Sequence, residues 1–217
     1  MKNILSSLLN FIFPFKCIKC KSNLHTNAIF CHRCWHSIDF LSQPCCYICS
    51  SPFQYSFNIP QHLQICGTCQ EHKPYFDKLI SVLKYNDDIK NIILNFKYND
   101  KLHLAKPFGQ LISTRLKLHD FQKPDFIIPV PLHNKKLRHR MFNQAALLAK
   151  YIATKHHINY VPNMLIRTKH NPSQTNYTKK MRAHNVRGAF AINNKYTESI
   201  ENKNIMLIDD VTTTGAT

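Results

Sequence analysis

Residues 204–217 read Asn-Ile-Met-Leu-Ile-Asp-Asp-Val-Thr-Thr-Thr-Gly-Ala-Thr, an apolar run closed by two carboxylates and then by small hydroxyl-bearing residues. Asp209 and Asp210 are suited to accept hydrogen bonds from two vicinal hydroxyls of a ribose, or to hold Mg²⁺ through water. Thr212, Thr213, Thr214, Gly215, Ala216 and Thr217 are small enough for several backbone N–H groups and hydroxyls to converge on a phosphate. A following helix N-terminus would add its positive end. An ordinary strand exit with a helix cap explains one Asp and one Thr, but not the whole run.

A second chemistry lies at the other end of the chain. All nine cysteines fall between positions 17 and 69, and eight form four Cys-x-x-Cys pairs: Cys17/Cys20, Cys31/Cys34, Cys46/Cys49 and Cys66/Cys69. Two intervening residues let both thiolates of a pair point into one tetrahedral site, and a second pair closes a four-cysteine Zn²⁺ site. Pairing in sequence gives two zinc ribbons; a crossed pairing of the knuckles stays open. Disulfides and a thioredoxin-like redox pair are the competing readings, and four repeated pairs in a chain without a secretion signal favour metal. Cys45 is read as a bystander, and the histidines of this region (His25, His32, His36, His62, His72) as surface residues.

The elements that must position these groups follow from apolar patterning. Residues 79–85 are expected as a strand, 88–96 and 102–118 as helices, 125–130 as a strand, 145–156 as a helix and 204–208 as a buried strand. Alternation of this kind specifies an α/β domain with a parallel sheet, with ligands bound beyond the carboxyl ends of the strands. Pro129 and Pro131 stop the strand at 125–130 and open a loop there, because proline has no N–H to donate. The two loops to inspect are therefore those after Val130 and after Ile208.

The chain has 217 residues, 44% apolar and 19% charged, which excludes a disordered or collagen-like chain. Lys and Arg number 29 against 12 Asp and Glu, a formal charge of +17. Two four-thiolate zinc sites would lower it to about +13, so the partner expected is a polyanion. The apolar segment at 4–15 is about half the roughly 20 residues a bilayer-crossing helix needs. It is read as an amphipathic helix over 1–16 docking on the body, with no transmembrane segment and a cytoplasmic location. The layout expected is that helix, a double zinc ribbon over 17–72 and a ligand-binding domain over 77–217.

Residues 206–217 resemble the loop of type I phosphoribosyltransferases that binds phosphoribosyl pyrophosphate (PRPP). The run Ile-Ile-Pro-Val-Pro-Leu-His at 127–133 resembles the pyrophosphate loop of that family. Over nearly the whole chain the sequence resembles the ComF family, which joins a double zinc ribbon to a phosphoribosyltransferase domain. The stretches that carry this are FPFKCIKC at 13–20, FKYND at 96–100, PVPLHNKKLRHRMFNQAALLA at 129–149 and RTKHNPSQTNYTKKMRAHNVRGAFAI at 167–192. The resemblance implies a type I phosphoribosyltransferase-like sheet with helices on both faces. Asp209 and Asp210 would lie on the ribose hydroxyls, residues 212–217 around the 5′-phosphate, and Pro129, Val130 and Pro131 on the pyrophosphate, with Arg138 and Arg140 beside them. It also implies a role in natural transformation, handling incoming single-stranded DNA. Two departures stand out: Met141 replaces the glycine of the family's Arg-Gly-Phe-Asn-Gln, and the chain ends at Thr217 where the family continues into a helix.

From 126 to 197 there is no carboxylate, while thirteen Lys and Arg occur. PRPP needs a few of these, and the surplus suits a nucleic-acid backbone, with Phe142, Tyr151 and Tyr177 as candidates to stack on bases. The polar stretch 167–187 resembles the lid of phosphoribosyltransferases. Two other readings remain: a true transferase acting on a base or amine, and a zinc-ribbon adaptor for a helicase-like competence partner with a vestigial PRPP site.

Overall fold

In the computed structural model, the described residues are 15–24, 26, 28–56, 58–98, 101–118, 122–169, 186 and 188–212. The helix expected over 1–16 lies outside them except at its last two residues. Residues 213–217, Tyr177 and nearly all of the expected lid also lie outside.

The cysteine-rich part is built from two copies of one backbone device. In the first, Cys17 N–H donates to Ser22 O (2.9 Å) and Lys21 N–H to Cys17 O (2.9 Å), with Lys21 at φ 65°. In the second, Cys46 N–H donates to Ser51 O (2.8 Å) and Ser50 N–H to Cys46 O (2.9 Å), with Ser50 at φ 59°. The left-handed residue after each knuckle folds the chain back over its two sulfurs. Short strands β1 (Phe15–Lys16) and β2 (Asn23–Leu24) pair antiparallel beside the first knuckle. Helices α1 (His32–His36) and α2 (Gly67–Glu71) carry the other cysteine of each remaining pair, with Cys31 and Cys66 at their N-caps.

Residues 79–85 are extended, but they do not join the parallel sheet as expected. Leu83 forms a bridge with Phe40, Leu41 N–H donates to Val82 O (2.9 Å), and Leu79 N–H donates to Ile48 O (2.7 Å). The strand expected there reduces to one isolated bridge, and its partner is the ribbon module. The chain then enters α3 (Asp87–Tyr98), started by Asn86, whose Oδ1 accepts from Ile89 N–H (3.0 Å), and by two aspartates in the first turn. Ile89, Ile92, Ile93 and Phe96, at helical spacing, are all buried. They share one apolar core with Cys17, Ile18, Phe30, Cys34 and Ile38 of the first ribbon, and Lys19 pairs with Asp88 (2.5 Å).

After a short 3₁₀ turn comes α4 (Ala105–Leu118). It crosses a later helix so closely that a Cβ at Gly109 would overlap the Tyr151 ring. The sheet consists of β3 (Phe126–Pro129), β4 (Asn159–Tyr160) and a last strand, Ile205–Ile208, in the order β4, β3, last strand, all parallel. Between β3 and β4 lie α5 (Asn134–Arg140) and α6 (Gln144–His156). A separate antiparallel pair, β5 (Leu165–Arg167) and β6 (Phe190–Ile192), precedes the last strand, which is β7. One sheet face, Ile127, Met206 and Ile208, packs under Leu148, Ala149 and Ile152 of α6. The other presents Ile128, Ile205 and Leu207 to a cavity it shares with Met164, Leu165, Ile192 and Ile200. The molecule is thus an α/β fold with a parallel sheet, preceded by a cysteine-rich zinc-ribbon module.

Candidate functional site

The eight paired cysteines gather in sequence: Cys17, Cys20, Cys31 and Cys34 in one cluster, Cys46, Cys49, Cys66 and Cys69 in the other, with all ligand atoms of a cluster within 4.8 Å of one another. Cys20 Sγ lies 3.7 Å from Cys31 Sγ, and Cys49 Sγ 3.6 Å from Cys66 Sγ. Sulfurs bound to tetrahedral zinc at about 2.3 Å stand about 3.8 Å apart, so the donor sets fit Zn²⁺. The Ser22 hydroxyl pulls Cys20 down to about 6, whereas burial and then the neighbouring thiols push Cys34 up to about 12. A dipositive ion at the centre lets all four ionise. Cys45 is buried outside both clusters, and His32, His36, His62 and His72 are in neither.

The second candidate site is a cleft of about 210 Å³ at the carboxyl ends of β3 and β7. Val130, Pro131 and Leu132 form one wall and Asp209, Asp210 and Val211 another. Asn143, Gln144 and Ala145 bring the start of α6 to it, and Lys97, Arg140 and Arg167 supply its cations. Asn143 fixes the wall: its Oδ1 accepts from Ala145 N–H (3.0 Å), capping α6, while its Nδ2 donates to Val130 O (3.0 Å). The amide of Gln144, which is 1% exposed, donates to Lys97 O (3.2 Å) and accepts from Arg140 Nη1 (3.4 Å). Arg140 also stacks on the Tyr98 ring at 4.5 Å and donates to its hydroxyl at 2.7 Å. The end of α3, the end of α5 and the start of α6 are therefore tied together around the cleft.

At its floor, Asp209 Oδ1 accepts from Asp210 N–H (2.8 Å), and Lys97 Nζ pairs with Asp210 Oδ1 at 2.9 Å. The surrounding protein and then the Asp210 charge push the Asp209 carboxyl up to about 7, although solvent still reaches the residue; Lys97 works against the shift. Lys136, half-buried behind the cleft, is lowered by burial and then by the charges of Arg167, Arg140 and Lys97, so four cations share this region.

Of the residues singled out from the sequence, Asp209, Asp210, Val130, Pro131 and Arg140 line the cleft. Pro129 ends β3 just behind it, and Arg138 is exposed on α5 away from the lining. Thr212 is exposed at the end of the described chain, and Thr213, Thr214, Gly215, Ala216 and Thr217 lie outside it. Lys97, Asn143, Gln144 and Arg167 are additions of the structure. The signal for Lys97 was a lone cation in the last turn of a helix whose preceding residue, Phe96, is fully apolar. Two expected stacking residues are otherwise engaged: Tyr151 packs on Gly109, and Phe142 packs against the core with its ring 6.4 Å from Phe96. Met141, expected to strain at a positive-φ glycine position and shift the loop, instead holds the left-handed conformation, at φ 62°.

A pair of four-cysteine ribbons joined to a parallel α/β domain with a mixed-charge cleft at its strand ends defines the class of protein. Comparison with known families agrees, the double zinc ribbon domain model matching residues 8–72. Competence protein F of Haemophilus influenzae is 31% identical over 216 residues, covering 97% of this chain and 90% of that protein. Competence protein ComFC of Bacillus subtilis is 28% identical over 193 residues, covering 86% and 73%. DNA utilization protein YhgH of Escherichia coli K12 is 27% identical over 157 residues, covering 70% and 67%. No solved structure matches the chain significantly. The chain belongs to the ComF family.

Proposed function

We propose that the chain binds PRPP in the cleft between β3 and β7 and handles single-stranded DNA during DNA uptake, in the cytosol. The observation that carries this reading is the adjacent carboxylate pair Asp209/Asp210 at the end of a parallel strand, lining one small cleft together with three cations. The carboxylates suit a vicinal diol, with Mg²⁺ held through water by the same pair, and the cations suit the pyrophosphate. The names of the relatives support the DNA role. So does the acid-free window 126–197, in which Lys135, Arg138, Lys150, Lys155, Lys169 and Lys195 are exposed. Functionally, the ribbon over 17–72 and the ligand-binding part over 77–217 act as two units, and residues 212–217 hold the 5′-phosphate.

The test is equilibrium dialysis with PRPP on the zinc-loaded chain and on Asp209→Ala/Asp210→Ala, with a single-strand binding assay on the same samples. The reading expects the double variant to lose PRPP while keeping two zinc ions and its DNA affinity. Unchanged PRPP affinity in the variant would place the ligand elsewhere.

A further inference from the structure

The ion pair at the floor of the cleft does not serve as an ordinary surface bridge. Lys97 and Asp210 have side chains only 21% and 10% exposed, and their charged atoms meet at 2.9 Å on the wall of the same cleft. Asp210 is one half of the carboxylate pair, so the ammonium already engages an oxygen that a hydroxyl or cation would use. Lys97 is held there from behind. Its carbonyl accepts from the buried Gln144 amide, and the neighbouring Tyr98 is clamped by Arg140.

We infer that Lys97 is a displaceable internal cation that determines selectivity: it neutralises the acidic pair while the cleft is empty and turns to the anionic substituent at C1 of the ribose when ligand binds. The inference rests on the reading that a ribose diol occupies Asp209 and Asp210. Chemical connectivity then does the rest. With the C2 hydroxyl on Asp210, the C1 substituent, on the adjacent carbon, lies beside the ammonium that pairs with Asp210. A 5′-phosphate sits at the opposite end of the sugar. Ribose 5-phosphate therefore offers Lys97 nothing in exchange for Asp210, whereas PRPP offers a stronger anion. Arg140 and Arg167 line the same cleft, so the displaced ammonium joins cations already in place.

This separates Lys97 from a merely structural lysine. Loss of a charge-assisted hydrogen bond to the pyrophosphate is expected to weaken PRPP about 10- to 100-fold. The same change should not weaken ribose 5-phosphate, because it removes a cation that this ligand must displace from Asp210 without offering it another anion.

The experiment titrates PRPP and ribose 5-phosphate into the full chain and into Lys97→Met and Lys97→Arg, with zinc content as the check on folding. The expected result is that wild type prefers PRPP, that Lys97→Met loses the preference by weakening PRPP alone, and that Lys97→Arg retains most of it. An equal loss for both ligands in Lys97→Met, or no loss for either, overturns the role of Lys97 and leaves the cleft assignment standing. If Lys97→Met does not fold, Lys97→Gln is titrated in its place: loss of the PRPP preference with ribose 5-phosphate not weakened supports the role, and an unchanged preference overturns it. If wild type binds neither ligand, the cleft assignment itself falls, which is a distinguishable failure.

Discussion

The surrounding protein and the neighbouring Asp210 charge raise the Asp209 carboxyl above the ordinary carboxylate range. It is raised to about 7 from 3.8, so between those values the folded protein holds a proton that the unfolded chain releases. Its contribution to stability therefore falls as pH rises from about 4 to about 7. Ligand binding runs the other way, because only the carboxylate accepts from two hydroxyls. PRPP affinity should increase as pH rises through about 7, and Asp209→Asn should flatten that part of the profile in a calorimetric pH series. Met141 supports a prediction on stability alone. A side chain in the left-handed region costs about 1–2 kcal/mol, and a glycine returns about 0.5–1 of that through the freedom of the unfolded chain. Met141→Gly should stabilise by about 0.5–1 kcal/mol, seen as a higher urea midpoint at unchanged slope. The side chain is 82% exposed, so no packing is lost.

At the scale of elements, α3 is the member that joins the two chemistries. Its first turns pack on the first ribbon, and its last turn places Lys97 and Tyr98 at the cleft. Replacing Cys34 by Ser should lower the zinc content from two to one and, through α3, weaken PRPP as well; elemental analysis and dialysis on one sample check both. Loss of zinc with PRPP affinity intact would show that α3 holds its place without the ribbon. The helix was readable in advance because its stripe at 89, 92, 93 and 96 has helical period and Asn86 begins it. The knuckles were readable because ligand spacing is local. What local pattern did not carry is partnership. Residues 79–85 read as the same short apolar run whether they pair with the sheet or with the ribbon, and only the folded chain decides. Helix α5 escaped notice because Asn134–Arg140 has no buried residue to set a period. Lys97 escaped because its meaning comes from Asp210, more than a hundred residues on.

At the scale of the whole molecule, the described cations near the cleft differ in setting from those on the surface of α5. Lys97, Lys136, Arg140 and Arg167 crowd around the cleft, while Lys135 and Arg138 stand exposed on the outer side of α5. The exposed pair is the better candidate for nucleic-acid phosphates. Neutralising both should flatten the log–log salt dependence of single-strand affinity by about 1.4, at about 0.7 per phosphate contact, without changing PRPP affinity. An unchanged slope would make them solvated surface and move the DNA role toward the ribbons. Among the described residues no helix is long and apolar enough to cross a membrane. The central claim is that the cleft at the ends of β3 and β7 is a PRPP site, and isothermal titration of PRPP into the zinc-loaded full chain at pH 7.5 tests it most directly. The account predicts saturable binding of one PRPP per chain, abolished in Asp209→Ala/Asp210→Ala. Absence of binding by the wild type, or equal binding by that variant, would contradict it.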